Sequence, residues 1–218
     1  MKRYTALIKS LPETEHAFTT KKEVWSALLS KNSLGADLLP KFFGQYASIE
    51  ISREDLFNYA QADDLKQFIL ATILWGYPAG MRGNNFTNII KQIEKLEDAL
   101  KKAKQGNVDW QSHLRVMKDI HGLGISTYTK FLYFLKVKVG SYPALILDKR
   151  IVSVLNKGLF SEFSELKDIS YINASVKYPE YLKSIDIVAK ELGVPHGSLE
   201  MFLFGFGLNL KPRDTKQV

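Results

Sequence analysis

The chain has 218 residues and a mass of 24.8 kDa, enough for one good core or two lobes sharing it, but not for several independent domains. Hydrophobic residues at 45% and charged ones at 24% exclude a disordered chain, and the lack of cysteine excludes disulfides, thiolate zinc sites, cysteine-held iron–sulfur clusters and a cysteine nucleophile. The formal charge of +7 suits a polyanionic partner without requiring one, and neither a secretory leader nor an apolar membrane span is visible, so an intracellular protein without a membrane partner is expected.

In chain order, residues 1–60 carry no identifying pattern beyond the helical spacing of "KKEVWSALLSK" at 21–31. "DDLKQFILATILWGY" at 63–77 has the same period. "NNFTNIIKQIEKLEDALKKAKQG" at 84–106 reads as one long amphipathic helix, with Phe86, Ile89, Ile90, Ile93, Leu96 and Leu100 on one face. Asp109 is placed to cap a helix over 110–121, and a helical pattern resumes over 125–139. "GSYP" then breaks the chain before the apolar "ALIL", and Asp148 stands where a cap would open a helix over 149–158. Short helices are expected at 161–168 and 170–176, longer ones at 178–193 and 198–207, and a frayed tail at the end.

Between the helices at 110–121 and 125–139 lies "HGLGIST". Two glycines there indicate a turn chosen for its backbone, since glycine weakens a helix interior by about 1 kcal/mol. Amides of such a turn and of the following helix start can point outward together and hold a phosphate oxygen. Gly122 and Gly124 give clearance, Leu123 plugs the hairpin, and Ser126 and Thr127 add hydroxyls. A plain helical hairpin explains the same residues equally well.

The run Ile120 to Thr127 resembles the helix-hairpin-helix of DNA-binding and repair proteins, although His121 stands where proline is frequent. Ile146, Leu147, Asp148, Lys149, Arg150, Ile151, Val152 and Val154 resemble the aspartate-led helix that follows the hairpin in the helix-hairpin-helix DNA glycosylase superfamily. The missing cysteines point to its cluster-free branch, which includes 8-oxoguanine glycosylases and bacterial relatives. The resemblance implies an all-α fold of two helical lobes flanking a cleft, one of about 1–60 plus 146–218, the other of about 61–145. It implies excision of a damaged base, an oxidised purine such as 8-oxoguanine, from double-stranded DNA by a monomer. It implies no cofactor beyond a monovalent cation at the hairpin turn, and no metal held by side chains.

In that family the aspartate, here Asp148, stabilises the cationic sugar or orients water; read alone, Asp148 is a helix cap. The nucleophilic lysine of bifunctional members aligns with Ser126, which favours water as nucleophile and base removal without strand cleavage. Lys130, four residues on and on nearly the same face, is the alternative amine. A non-catalytic DNA-binding protein is a further alternative. Trp75, Tyr77, Met81, Arg82 and Asn84 are candidates for probing the strand or lining a base pocket, with Trp75 and Tyr77 equally readable as core; Phe204 is a pocket candidate from the last helix. His16, His113, His121 and His196 show no metal-ligand spacing and read as surface or capping residues.

Overall fold

The structure, a computed structural model, describes residues 1–29, 33–106 and 109–210, with side chains of 33–37 left aside; the expected tail lies outside the described residues. The chain is mostly helical. Its elements are α1 (Thr5–Lys9), β1 (Ala17–Lys21), α2 (Lys22–Leu29), α3 (Ser33–Phe43), β2 (Ser48–Ser52), α4 (Arg53–Gln61), α5 (Leu65–Gly76), α6 (Asn85–Ile90), α7 (Ile93–Lys104), α8 (Trp110–Asp119), α9 (Ile125–Phe134), β3 (Lys138–Val139), β4 (Tyr142–Pro143), α10 (Lys149–Asn156), α11 (Ala174–Leu192) and α12 (His196–Gly205). No helix among the described residues is long and apolar enough to cross a membrane.

Two helices form the centre. All ten residues of α9 are buried, and α5 is buried from Phe68 to Trp75. A helix buried all round must be covered on every side, and α9 packs against α4, α5 and α7. Chemically active side chains on α9 are therefore held by the core itself.

Several expected elements differ in detail. The long helix at 84–106 is two helices, because Gln92 leaves helical geometry at φ −120° and ψ 24°. Its side-chain amide donates to Asn88 O at 3.2 Å, replacing the main-chain bond that its own N–H gives to Ile89 O instead. The helix expected over 125–139 stops at Phe134; Lys136 turns the chain at φ 53° and the β-branched Val137 and Val139 enter a small hairpin, β3 with β4. The helix expected at 170–176 is a turn closed by Asn173, whose Oδ1 accepts from Ser170 N at 2.7 Å, and α11 begins at Ala174. The 161–168 segment is a 3₁₀ helix over Ser161–Leu166. The N-terminal part holds an unanticipated antiparallel pair, β1 with β2, in register Ala17 to Ser52.

Tertiary bonds then fix the loop after α5 and the segment before α10. Trp25 Nε1 donates to Thr20 Oγ1 at 2.8 Å, and the Thr20 hydroxyl donates to Pro78 O at 2.9 Å, tying the loop after α5 to β1. The buried run Ala144–Leu147 joins no sheet; Ala144 N donates to Val137 O at 2.8 Å, and side chains satisfy the residues that follow. Tyr178 Oη accepts from Leu145 N at 3.0 Å and donates to Leu145 O at 2.6 Å. Tyr181 Oη donates to Ile146 O at 3.0 Å, and Thr129 Oγ1 accepts from Leu147 N at 3.1 Å. Three side chains from α9 and α11 thereby deliver the next residue, Asp148, to a fixed place.

Candidate active site

A cleft of about 870 Å³ runs along the connection between α8 and α9. Its walls include Tyr77, Met81 and Arg82 from the loop after α5, Gly122 to Gly124 from the turn, Ser126, Thr127 and Lys130 from α9, then Asp148 and Lys149. A smaller cavity of about 230 Å³ is lined by His16, Phe18, Arg53, Trp75, Ile146, Glu200 and Phe204 among others. Gly76, Lys130 and Asp148 line both. The two spaces thus adjoin at an amine and a carboxylate.

Gly122 has φ +87°, a conformation that side-chain-bearing residues rarely adopt, and a Cβ there would lie 2.8 Å from Asn85 O. The turn is therefore seated against the start of α6, which takes up the clearance that its first glycine was expected to keep for a ligand. Gly124 is different: at φ −91° it opens α9, and no side chain caps that helix. Leu123 is buried as expected. Thr127 Oγ1 is engaged with Tyr77 Oη at 2.6 Å, so this hydroxyl joins α9 to the loop after α5.

Lys130 is the least ordinary residue in the site. It is 6% exposed, and its Nζ donates to Ser126 O at 2.8 Å and Ser126 Oγ at 3.0 Å, reaching back one helical turn. A Cβ on Gly76 would lie 3.0 Å from both Cδ and Cε of Lys130, so that glycine provides the channel for the lysine stem. The ring of Tyr77 lies 5.5 Å from the amine. Burial lowers the Lys130 pKa to about 8, against the raising influence of Asp148 and Glu200. About a tenth of the amine is then unprotonated at pH 7, and the unprotonated form is the one that nucleophilic chemistry requires.

Asp148 caps α10 through Oδ1, which accepts from Arg150 N at 2.8 Å and Ile151 N at 3.0 Å. The cap expected at this position is present, and it holds the carboxylate rigidly at the junction of the two spaces.

The smaller cavity also holds a charged pair that the sequence did not single out. Arg53 and Glu200 are each 1% exposed at the side chain and form an ion pair at 2.9 Å. Arg53 Nη1 also donates to Tyr133 Oη at 3.2 Å, and Tyr133 donates to Glu13 Oε1 at 2.7 Å. Burial pulls the Arg53 guanidinium down, but Glu200 and Tyr133 together hold it above its ordinary value. Burial pushes the Glu200 carboxyl up to about 7, against the opposing pull of Arg53. His16, expected at the surface, packs edge-on against Phe18, Trp75 and Phe204, and burial with Arg53 nearby lowers its pKa to about 4. Arg53 Nε, Glu200 Oε1 and His16 Nδ1 are buried without a hydrogen-bond partner.

Of the probing candidates, Tyr77, Met81 and Arg82 line the open cleft, whereas Trp75 and Phe204 line the inner cavity. Asn84 is exposed at the start of α6 and lines neither; its neighbour Asn85 lines the cleft instead. Phe202 is fully buried, as the core reading of that helix required. Tyr171, also missed, lines the cleft beside Gly124, and Ile172 next to it is 94% exposed. The signal was present in an apolar pair within the polar turn "DISYIN". No group of three or more His, Cys, Asp or Glu that could hold a metal occurs among the described residues.

The family described as "Putative 8-oxoguanine DNA glycosylase OGG-like protein" matches residues 12–204. The chain belongs to this family. A search of curated proteins and of solved structures found no match.

Proposed function

We propose that this protein is a DNA glycosylase that breaks the N-glycosidic bond of a damaged base, an oxidised purine such as 8-oxoguanine, in double-stranded DNA. The observation that carries the reading is the meeting of Lys130 and Asp148 where a large cleft adjoins a smaller cavity with aromatic walls. The family match supports the same reading. In this reading the cleft separates a lobe of about 1–60 with 146–218 from a lobe of about 61–145. Arg82, Lys118 and Lys149 on the cleft walls supply cations for the phosphates. The start of α9 receives one phosphate oxygen, and backbone carbonyls of the turn would be the ligands of a monovalent cation there.

As the C1′–N bond breaks, its electron pair leaves with the base, which takes up a proton, and positive charge grows on the sugar. The Asp148 carboxylate stabilises that charge in a site with little water. Oδ2 is the oxygen not used in capping α10.

Two nucleophiles fit. Ser126 at the aligned lysine position favours water and a monofunctional enzyme. A specific observation favours the amine: Lys130 Nζ lies 3.0 Å from Ser126 Oγ, so its longer reach brings an amine to the place that the sequence alignment gives to serine. Attack by Lys130 on C1′ would give a Schiff base and, through it, strand cleavage.

Duplexes carrying 8-oxoguanine, an alkylated purine, uracil, or adenine opposite 8-oxoguanine, each treated with alkali after incubation, test the reading, with Asp148→Asn as the control. Breakage of the 8-oxoguanine strand is expected; no breakage on any duplex, with DNA binding intact, would leave a non-catalytic DNA-binding protein. Borohydride reduction then assigns the nucleophile, since only amine attack leaves a covalent protein–DNA adduct.

A further inference from the structure

The inner cavity contains more polar chemistry than its packing consumes. Arg53 and Glu200 are held in place by one another, by Tyr133 and by α4 and α12, yet Arg53 Nε and Glu200 Oε1 have no hydrogen-bond partner. A buried polar atom left unpaired costs roughly 1–3 kcal/mol. Two on neighbouring residues, both lining a cavity, mark a place where a ligand supplies the missing partners.

The character of those atoms restricts the ligand. Arg53 Nε–H only donates, and an ionised carboxylate oxygen only accepts. The other walls offer flat aromatic faces, Phe18, Trp75 and Phe204 with the His16 ring packed against all three, and Lys130, Asp148 and Arg150 are the further charged residues of the lining. At about 230 Å³ the space falls below the ~300–1,000 Å³ typical of pockets for drug-sized ligands, so it suits a single aromatic heterocycle rather than a whole nucleotide. The sugar of an everted nucleotide would remain at the mouth, beside Lys130 and Asp148.

We propose that Arg53 and Glu200 read the everted base, and that they select a lactam edge, a carbonyl oxygen adjacent to a ring N–H. Arg53 donates to the carbonyl and Glu200 accepts from the N–H. Both bonds are charge-assisted, so the pair favours the most polarised neighbouring acceptor and donor that a base presents. O6 with N1–H of guanine or hypoxanthine is such an edge, and so is O8 with N7–H of 8-oxoguanine. A purine whose oxygen is alkylated has lost the N–H and leaves Glu200 facing an acceptor. This inference rests on the glycosylase reading and names the base class that the same site takes.

Binding of free bases tests it without catalysis. By ligand-observed NMR or calorimetry, wild-type protein is expected to bind hypoxanthine and 8-oxoguanine at least tenfold more tightly than 6-methoxypurine, which keeps the ring but lacks the lactam. Glu200→Gln should reduce that preference to within about twofold. Because breaking a buried ion pair can unfold a protein, the double variant Arg53→Met/Glu200→Leu, which removes both charges at similar volume, is the second arm and should also lose the preference. Equal affinity for hypoxanthine and 6-methoxypurine in wild type, or an unchanged ranking in either folded variant, would overturn the inference. Excision is scored in parallel. A wild type that excises 8-oxoguanine without a lactam preference overturns this inference alone, whereas a lactam preference without excision from any damaged duplex supports it and counts against the glycosylase reading.

Discussion

Lys130 Nζ sits 3.0 Å from Ser126 Oγ, with its four-carbon stem in a channel left open by Gly76. The amine occupies a core position at which burial has brought its pKa down to about 8. If it is the nucleophile, the yield of borohydride-trapped adduct should climb about tenfold per pH unit on approach to pH 8 and level off above it, following the unprotonated fraction. Lys130→Gln should abolish the adduct while leaving duplex affinity within a few-fold, measured by a gel-shift titration. Water attack instead gives no adduct at any pH.

Gly76→Ala tests the channel separately from the amine. The added methyl would meet Cδ and Cε of Lys130 at 3.0 Å, and a flexible stem yields before backbone does. Crowding of this kind costs about 1–3 kcal/mol in a packed core, here expressed mainly as a displaced amine. Single-turnover excision or trapping should fall by tenfold or more with little change in melting temperature. A variant with wild-type rate would mean that the position of the amine is immaterial.

Asp148 has two roles that substitutions can separate. Asparagine caps a helix about as well as aspartate, whereas alanine loses the cap at a cost of about 0.5–2 kcal/mol. Asp148→Asn should therefore keep wild-type stability and lose base excision by at least a hundredfold. Asp148→Ala should lose excision and also melt earlier. Equal activity of Asp148→Asn and wild type in the alkali assay would remove the charge from the mechanism.

The turn and the aspartate were legible because each depends on local chemistry: glycine at a left-handed position, and a carboxylate before a helix start. The capped starts of α8 and α10 followed from Asp109 and Asp148 for the same reason. The ion pair of the inner cavity was not legible, since its two residues lie far apart in the chain: Arg53 opens α4 and Glu200 sits within α12. Nothing in either local pattern announces a partner 147 positions away by the numbering (200 − 53). Lys130 could be placed on the right face by counting, but its burial depends on Gly76, a neighbour only in space. Sequence spacing likewise missed the break at Gln92, where one side chain substitutes for its own backbone N–H.

The two glycines of the turn should respond unequally. At Gly122 a methyl faces both φ +87° and the Asn85 backbone at 2.8 Å, so Gly122→Ala should destabilise by about 2–4 kcal/mol, adding a strained conformation to a backbone collision. Gly124→Ala has an ordinary φ and meets only the Tyr171 hydroxyl at 3.4 Å, so stability should stay within about 1 kcal/mol of wild type. Chemical denaturation of the two variants makes the comparison. Similar losses at both positions would contradict the seating of the turn against α6.

Buried titratable groups should give the protein two opposing pH dependences of stability. His113 hydrogen-bonds through Nδ1 to Tyr128 Oη at 2.8 Å, and burial lowers its pKa to about 4. The unfolded chain binds the proton more readily between about pH 4 and 6.5, so this group makes stability rise with pH across that window, as His16 does. Glu200 has the opposite sign. Its folded pKa, raised to about 7, makes the native state the better proton binder, so its contribution is complete below about pH 4.5 and is lost as pH rises through 7. Melting temperatures of His113→Gln and Glu200→Gln from pH 4 to 7.5 separate the two. Removing His113 should flatten the rise between pH 4 and 6.5, and removing Glu200 should steepen the net rise between 4.5 and 7. The readout is the slope of each profile rather than its height, so a general loss of stability in either variant does not obscure the sign. Parallel profiles for wild type and Glu200→Gln would mean that Glu200 keeps its ordinary acidity despite its burial against Arg53.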